Sequence, residues 1–224
     1  MKIEGIHEKT QCCPLCQSDA LNAYFEDKKR SYVQCETCDL VFVPRVYWLS
    51  LQEEKAEYDL HENDASDQGY RQFLSRLSIP LLECLDLGVP DGCRGLDFGC
   101  GPGPTLSLML EESGVEMVLY DPFYFNDKTV LDGTYDFVCA TEVVEHLSNP
   151  KKEFALLFSM LDSGGWLALM TKMVKDKQAF GRWHYINDQT HICFYSRKTF
   201  EFIAKEVGAN VTFVANDVIL LQKH

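Results

Sequence analysis

A short apolar strand that runs into a glycine-rich turn is the feature that most constrains this chain. Residues 95–104 read Gly-Leu-Asp-Phe-Gly-Cys-Gly-Pro-Gly-Pro, with glycine at every second position from Gly99 to Gly103. Glycine permits a sharp backbone turn and the close approach of a ligand, because it has no Cβ atom. Pro104 suits the first turn of a helix, where its missing N–H group is not needed. The segment predicts a strand, a ligand-binding turn and a helix in succession.

Strand-like and helix-like patterns alternate after this turn. Helices are predicted at 105–113, 151–161 and 197–207, the last between Ser196 as N-cap and Gly208 as C-cap. Strands are predicted at 95–98, 116–120, 137–141, 166–171, 211–214 and 218–222, with a weak strand at 129–131. Such alternation is typical of an α/β domain with a parallel sheet. We assign residues 95–224 to this domain.

Residues 46–94 are predicted to form a helical connector or cap. Apolar residues recur at steps of three and four between positions 70 and 87, as on one face of a helix. Pro80 lies inside this pattern, and proline removes a backbone hydrogen bond from a helix interior. We expect Pro80 to bend or interrupt the helix.

Two acidic residues indicate the ligand of the glycine-rich turn. Asp121 ends the second predicted strand, where an acidic residue commonly binds ribose hydroxyl groups. Asp97 lies beside the turn, and its charge would repel a phosphate but suit the ammonium of an amino-acid group. A nucleoside that carries an amino acid fits both, and S-adenosylmethionine (SAM) meets that description.

Four motifs in order resemble those of the class I SAM-dependent methyltransferases. They are residues 96–103, the pair Tyr120-Asp121, residues 135–147 and residues 164–169. The resemblance covers about residues 95–222. It implies a Rossmann-like sheet of seven strands whose last strand is antiparallel, with SAM across the carboxyl ends of the first strands.

The same resemblance implies the residues that bind SAM. Gly99, Cys100, Gly101 and Gly103 would line its methionine part, beside Asp97. Further along the chain are the residues expected near the ribose, the adenine and the methionine end: Asp121 for the ribose, Pro122 and Phe123 for the adenine, and Thr141 and Glu142 for the methionine end. An acid beside the adenine has two candidates, Asp127 and Asp132, and neither is assigned.

Four cysteines near the N-terminus predict a zinc ribbon over residues 1–45. Cys13 and Cys16 form one C-x2-C pair, and Cys35 and Cys38 form another. This spacing is typical of a structural zinc site of four thiolates, which leaves no open position for water. Four unligated cysteines are the alternative. Cys12 is a substitute ligand, although Cys13 fits the spacing better.

Candidate catalytic side chains cluster in two places. His146 follows the fourth-strand motif, four residues after Glu142. His184, Tyr185 and His191 lie in the insert after the fifth strand, which in related enzymes lines the acceptor pocket. Histidine and tyrosine suit the binding or deprotonation of a hydroxylated acceptor. A structural role remains the alternative for His146 and His191.

The net charge and the composition indicate which classes of binding partner are disfavoured. The formal net charge is −13, and nucleic-acid binding depends on lysine and arginine neutralising phosphates. Nucleic acids and anionic membranes are therefore disfavoured. The first residues lack a signal-peptide core, and no apolar run is long enough to span a membrane. Ten cysteines without a leader indicate reduced thiols and a cytoplasmic location.

Methyl transfer from SAM to a small-molecule acceptor is the function that these features favour. A ribbon before such a domain also resembles bacterial methyltransferases that act on small molecules or sugars. Two alternatives remain: an RNA methyltransferase that docks through its zinc ribbon, and a SAM-binding protein without catalysis. The acceptor, the methylated atom and the oligomeric state are not predicted.

Overall fold

The computed structural model describes residues 12–60, 64–85 and 92–224. In chain order its elements are β1 (Leu21–Glu26), β2 (Ser31–Cys35), β3 (Val41–Phe42), α1 (Leu51–Tyr58), α2 (Gln68–Cys84), β4 (Arg94–Phe98), α3 (Thr105–Glu111), β5 (Glu116–Tyr120), β6 (Tyr135–Thr141), α4 (Pro150–Ser159), β7 (Leu161–Met170), α5 (Lys177–Phe180), β8 (Cys193–Phe194), α6 (Arg197–Val207), β9 (Ala209–Phe213) and β10 (Val218–Lys223). Short 3-10 helices occupy Arg45–Tyr47, Lys128–Asp132, Val144–His146 and His184–Asn187.

The central sheet has the spatial order β5-β4-β6-β7-β10-β9. Strands β5, β4, β6 and β7 pair in parallel, whereas β10 runs antiparallel to both of its neighbours. The predicted Rossmann-like α/β class, with an antiparallel last strand, is confirmed. Because β4, β5 and β6 are parallel, their carboxyl ends meet at one edge of the sheet.

Side chains alternate between two packed faces of this sheet. In β6, Phe137 and Cys139 face the layer that contains α2 and α3, whereas Val138 and Ala140 face the layer that contains α4 and α6. This two-residue period is that of a strand covered on both sides. The sheet is thus buried between helices, which leaves its strand ends as the place for a site.

The helix boundaries follow the caps read from the sequence. Ser196 accepts a hydrogen bond from the Thr199 backbone at the start of α6, and Gly208 ends that helix with φ = +66°. Only glycine adopts this left-handed conformation readily. Pro104 directly precedes α3, as the glycine-rich turn predicts.

The predicted count of seven strands is wrong for the described residues, whose central sheet has six. The weak strand expected at 129–131 is instead part of the 3-10 helix Lys128–Asp132. Asp127 starts that helix by accepting a hydrogen bond from the Thr129 backbone at 3.0 Å. A parallel crossover needs about a dozen residues, so residues 121–134 have room for one crossover and not for two.

Pro80 was expected to bend or interrupt its helix, and the interruption does not occur, since α2 continues from Gln68 to Cys84. Proline removes one helical hydrogen bond. Leu74, Leu77 and Leu81 are fully or almost fully buried against the central sheet, and this burial holds the helix together. The predicted end of the helix near position 87 lies outside the described residues.

A second, antiparallel sheet has the order β1-β2-β3-β8. Its first three strands come from the cysteine-containing segment, and β8 comes from the insert after β7. Val41 pairs with Phe194, and Phe42 pairs with Cys193. The two parts of the chain therefore share one sheet and one apolar core.

Among the described residues, no helix is both long enough and apolar enough to span a bilayer.

Candidate active site and cysteine cluster

A cavity of about 830 Å³ opens at the carboxyl ends of β4, β5 and β6. All fourteen side chains or glycines predicted for cofactor binding and catalysis line it: Asp97, Gly99, Cys100, Gly101, Gly103, Asp121, Pro122, Phe123, Thr141, Glu142, His146, His184, Tyr185 and His191. Pockets of 300–1,000 Å³ are typical of small-molecule sites. The fold thus brings residues from three of the four motifs, and from the insert after β7, to one concave surface.

The glycine-rich turn forms one wall of the cavity. The backbone N–H of Gly99 donates to the Tyr120 carbonyl oxygen at 2.7 Å, which ties the turn to the end of β5. Gly99 has φ = +79°, and a Cβ atom there would lie 2.5 Å from Cγ2 of Val143. Glycine at this position therefore satisfies both the backbone conformation and the close packing.

Asp121 connects the end of β5 to the glycine-rich turn. Its Oδ2 accepts from the Gly101 N–H at 3.0 Å, and its Oδ1 accepts from the N–H groups of Phe123 at 2.8 Å and Tyr124 at 3.1 Å. Each carboxylate oxygen has two lone-pair sites, so Oδ2 retains acceptor capacity toward the cavity. The carboxylate both shapes the turn and presents negative charge.

Asp97 lies behind the turn, with only 3% of its surface exposed. Ser107 donates a hydrogen bond to its Oδ2 at 2.8 Å. Burial, together with the charge of Asp121, raises the pKa of Asp97 to about 6, although the Ser107 hydrogen bond acts in the opposite direction. A buried carboxylate of this kind favours a cationic partner.

The part of the cavity wall that contains Glu142 and Tyr185 is a cluster of acids and aromatic rings. Tyr185 donates its hydroxyl proton to Glu145, and its oxygen lies 3.4 Å from Oε2 of Glu142 and 3.2 Å from Oγ1 of Thr171. Burial raises the pKa of both glutamates, and the charge of Glu145 raises the pKa of Glu142 further, whereas the charge of Lys172 lowers it. Glu142 also has φ = +53°, a conformation that non-glycine residues rarely adopt.

Two of the three predicted histidines are held by backbone carbonyl groups. His146 Nδ1 lies 3.1 Å from the Thr190 carbonyl oxygen, and His191 Nδ1 lies 2.8 Å from that of Tyr185. Burial lowers the pKa of His191. His184 is exposed, and its Nε2 lies 3.0 Å from the Lys172 ammonium.

Several residues of this part of the cavity wall were not predicted as site residues. Glu54 and Tyr58 reach the cavity from α1, and Lys172 and Asp188 reach it from the segments after β7. Tyr58 packs edge-on against the His146 ring, with centroids 5.3 Å apart. Glu145 lies immediately behind the wall and is fully buried. Its spacing from Glu142 and its position next to His146 are sequence signals that could have identified it.

The four predicted zinc ligands converge in the structure. Their sulfur atoms all lie within 4.8 Å of one another, with 3.5 Å between Cys13 and Cys38 and 3.4 Å between Cys16 and Cys35. A tetrahedral zinc site with bonds of about 2.3 Å has sulfur–sulfur edges of about 3.8 Å. The sulfurs are also too far apart for disulfide bonds of about 2 Å. This donor set fits a zinc ion.

Arg30 joins the cysteine segment to the insert after β7 that contributes Tyr185 and His191 to the cavity. Its guanidinium is almost fully buried and donates to the carbonyl oxygens of Ile186 at 3.0 Å, Asp188 at 2.7 Å and Gln189 at 3.1 Å. Tyr32 accepts a further hydrogen bond from Arg30 at 2.9 Å. These bonds hold the backbone between Tyr185 and His191.

Comparison with known proteins identifies the family. Residues 62–213, more than half of the chain, match the family described as "Methyltransferase domain". None of the curated proteins matches the chain in sequence.

Solved methyltransferases share the fold. The magnesium protoporphyrin IX methyltransferase of Synechocystis PCC 6803 with bound SAM has a TM-score of 0.51 at 16% identity, covering 80% of this chain and 95% of that one. The same enzyme with bound S-adenosylhomocysteine has a TM-score of 0.51 at 13% identity, covering 77% and 94%. A chain from the complex that contains the Haloferax volcanii Trm112 methyltransferase activator has a TM-score of 0.50 at 12% identity, covering 77% and 98%. The family match shows that the chain belongs to the methyltransferase domain family, and these structures show that it has the fold of the class I SAM-dependent methyltransferases.

Proposed function

We propose that this methyltransferase transfers the methyl group of SAM to a small-molecule acceptor that binds in the same cavity. One observation carries the proposal: the residues predicted for the cofactor and those predicted for the acceptor all line a single cavity of about 830 Å³. A cofactor and an acceptor held there would be close and aligned, which is the main requirement of an in-line displacement.

The cofactor end fits SAM on the chemistry of its donors. Asp97 and Asp121 place two carboxylates on either side of the glycine-rich turn, for an ammonium and for ribose hydroxyl groups. Within the described residues, Thr141 Oγ1 and Glu142 Oε1 are buried and have no hydrogen-bond partner. Buried polar atoms are normally paired, so these two atoms fit a polar ligand at the methionine end.

The acceptor end supplies aromatic walls and polar groups. When bound, SAM supplies an electrophilic methyl group on a positively charged sulfur. His146, His184, Tyr185 and His191 are placed to bind and orient the acceptor, and a general base is required only where the acceptor must lose a proton. The rings of Tyr58 and Tyr185 would exclude water from the reacting atoms.

The cysteine cluster supports a structural zinc ion rather than a catalytic one. Four thiolates complete the coordination of zinc and leave no position for substrate. We assign the zinc ribbon to residues 1–45, the connector to 46–94 and the methyltransferase domain to 95–224. Residues 1–11 of the ribbon lie outside the described part. Reduced cysteines favour a cytoplasmic location.

Calorimetry with SAM and S-adenosylhomocysteine on zinc-replete protein tests the cofactor assignment first. Micromolar binding, followed by transfer of a labelled methyl group to members of a hydroxyl, amine and carbon acceptor panel, supports the proposal. Binding without any product favours a SAM-binding protein. Labelling of RNA, with binding that weakens steeply as salt rises, favours an RNA methyltransferase.

A further inference from the structure

Three potential metal ligands outside the cysteine cluster converge at the acceptor end. Ligand atoms of Glu145, His146 and His191 lie within 4.8 Å of one another. Glu145 and His146 belong to the 3-10 helix after β6, and His191 precedes β8. The Ile192 N–H donates to the Glu145 carbonyl oxygen at 2.9 Å, which fixes the two segments side by side.

Backbone carbonyl groups set the orientation of both imidazole rings. The Thr190 and Tyr185 carbonyl oxygens lie 3.1 Å from Nδ1 of His146 and 2.8 Å from Nδ1 of His191. A carbonyl oxygen only accepts hydrogen bonds, so Nδ1 carries the proton and Nε2 carries the lone pair in each neutral ring. Metal-binding histidines are typically oriented in this way by a hydrogen bond from the other ring nitrogen.

Glu145 supplies the second, independent observation. Its side chain is fully buried, and within the described residues its Oε2 has no hydrogen-bond partner, while the other carboxylate oxygen receives the Tyr185 hydroxyl. Burial of an unpaired carboxylate oxygen is costly, and buried charges are usually paired or coordinate a metal. The two imidazole rings beside it bring lone pairs rather than a fixed positive charge. A cation between the three groups would compensate the charge of this buried carboxylate.

The other charged groups around this cluster do not replace a cation. Asp188 is itself an anion: its Oδ2 lies 3.6 Å from Nε2 of His191, and its Oδ1 accepts from Thr190 at 2.6 and 2.9 Å. The Lys172 ammonium lies 3.0 Å from Nε2 of His184 and 5.3 Å from the Tyr185 ring centroid.

We propose that Glu145, His146 and His191 bind one divalent first-row transition metal ion at the acceptor end of the cavity. Two imidazole nitrogens and one carboxylate suit such ions and leave coordination positions open. His146 and His191 line the cavity, so the open positions face it. The site is separate from the four cysteines, whose thiolates favour zinc.

The metal ion would bind the methyl acceptor, an inference that rests on the proposed function. It specifies the acceptor as a hydroxylated small molecule. Coordination to a divalent cation lowers the pKa of a bound hydroxyl group. The O–CH₃ bond forms as the S–CH₃ bond breaks. The electron pair of the broken bond stays on the sulfur of S-adenosylhomocysteine, and the hydroxyl proton leaves to solvent water.

Titration of the zinc-replete protein with Mn²⁺, followed by electron paramagnetic resonance, tests the site. We expect one Mn²⁺ per chain in the wild type and in His184→Ala, whose histidine lines the same cavity outside the proposed ligand set. Affinity should fall at least tenfold in Glu145→Gln and in His191→Ala. Unchanged zinc content and circular dichroism would show that both variants are folded.

Two outcomes would overturn the site: no bound Mn²⁺ in the wild type, or equal affinity in folded Glu145→Gln. SAM calorimetry on the same samples separates the two proposals. SAM binding without Mn²⁺ binding removes the metal site and leaves the proposed function intact. Stoichiometric Mn²⁺ binding that Glu145→Gln abolishes, in protein that does not bind SAM, supports the metal site and removes methyl transfer.

Discussion

The carboxylate of Asp121 accepts a hydrogen bond from the backbone N–H of Gly101 at 3.0 Å, and both residues line the cavity. The end of β5 and the glycine-rich turn after β4 are therefore linked by a side chain that also faces the ligand cavity. A substitution at this position changes the shape of the turn as well as the charge of the site.

Asp121→Ala should weaken SAM and S-adenosylhomocysteine binding by about 10- to 100-fold, because hydrogen bonds to a charged group contribute about 1.5–3 kcal/mol. Asp121→Asn, which keeps one acceptor oxygen, should bind with intermediate affinity. Calorimetry measures both, and circular dichroism controls for folding. Wild-type affinity in a folded Asp121→Ala protein would remove this residue from the cofactor site.

The pH dependence of SAM binding follows from Asp97. Its pKa of about 6 in the free protein lies above the ordinary value of 3.8, mainly because the side chain is buried. The acid is therefore ionised above pH 6 and gains a proton as pH falls below it. Because the ammonium of SAM prefers the ionised form, affinity should fall by up to about tenfold between pH 6 and pH 5, with a proton released on binding.

Calorimetry in buffers of different ionisation enthalpy measures that proton. Asp97→Asn should bind SAM more weakly and release no proton over the same range. Asp162→Asn, an exposed carboxylate on β7, is the matched control and should behave as the wild type. Proton release that persists in Asp97→Asn would assign the effect to another group.

Alanine substitutions at two glycines distinguish the stability cost of backbone strain from the cost of steric overlap. Gly99 and Gly114 have similar positive φ angles of +79° and +89°, but a Cβ at Gly114 would meet no atom within 4 Å. Gly114→Ala should lower the free energy of unfolding by about 1–2 kcal/mol from backbone strain. Gly99→Ala should cost about 1–3 kcal/mol more, because the new methyl group meets Val143. Urea denaturation compares them, and equal losses would contradict the packing argument.

Zinc content tests the cysteine cluster. Cys35→Ser should lose the single zinc ion expected per chain, because a serine hydroxyl does not replace a thiolate ligand. Cys84→Ser changes a cysteine on α2 outside the cluster and should retain the ion. Elemental analysis of the purified variants gives the ratio. A full zinc complement in Cys35→Ser would argue against a four-thiolate site.

Arg30→Ala should destabilise the protein by about 3 kcal/mol or more, since it leaves three carbonyl groups without their donor. Arg45→Ala removes an exposed arginine from the same segment and should cost less than about 0.5 kcal/mol. Denaturant unfolding followed by circular dichroism measures both. Similar stability for the two variants would show that the Arg30 hydrogen bonds are replaced by water.

Local sequence signals predicted most of the central domain. The Ser196 and Gly208 caps bound α6 as expected, and the glycine-rich turn lies between β4 and α3. These features depend on residues close in sequence, so a single sequence reveals them. The weak strand at 129–131 failed because an Asx turn at Asp127, a feature of side-chain geometry, replaces it.

Contacts between residues far apart in the chain were not predicted from the sequence. The pairing of Val41 with Phe194 joins residues that are far apart in the chain, and no local pattern encodes it. Glu145 was not selected because its role depends on the direction of its side chain in a short 3-10 helix. The fourteen predicted site residues do line one cavity, but their individual roles remain predictions.

The pairing of β3 with β8 bears on attempts to recombine this protein with its relatives. A cut at residue 45 would divide a hydrogen-bonded sheet, since β8 comes from the segment between β7 and α6. Exchange of the cysteine segment alone would also remove the hydrogen bonds that Arg30 donates to backbone carbonyl groups of the insert. A functional chimera would need to carry residues 12–45 and 183–195 from the same parent, as a single transferable unit.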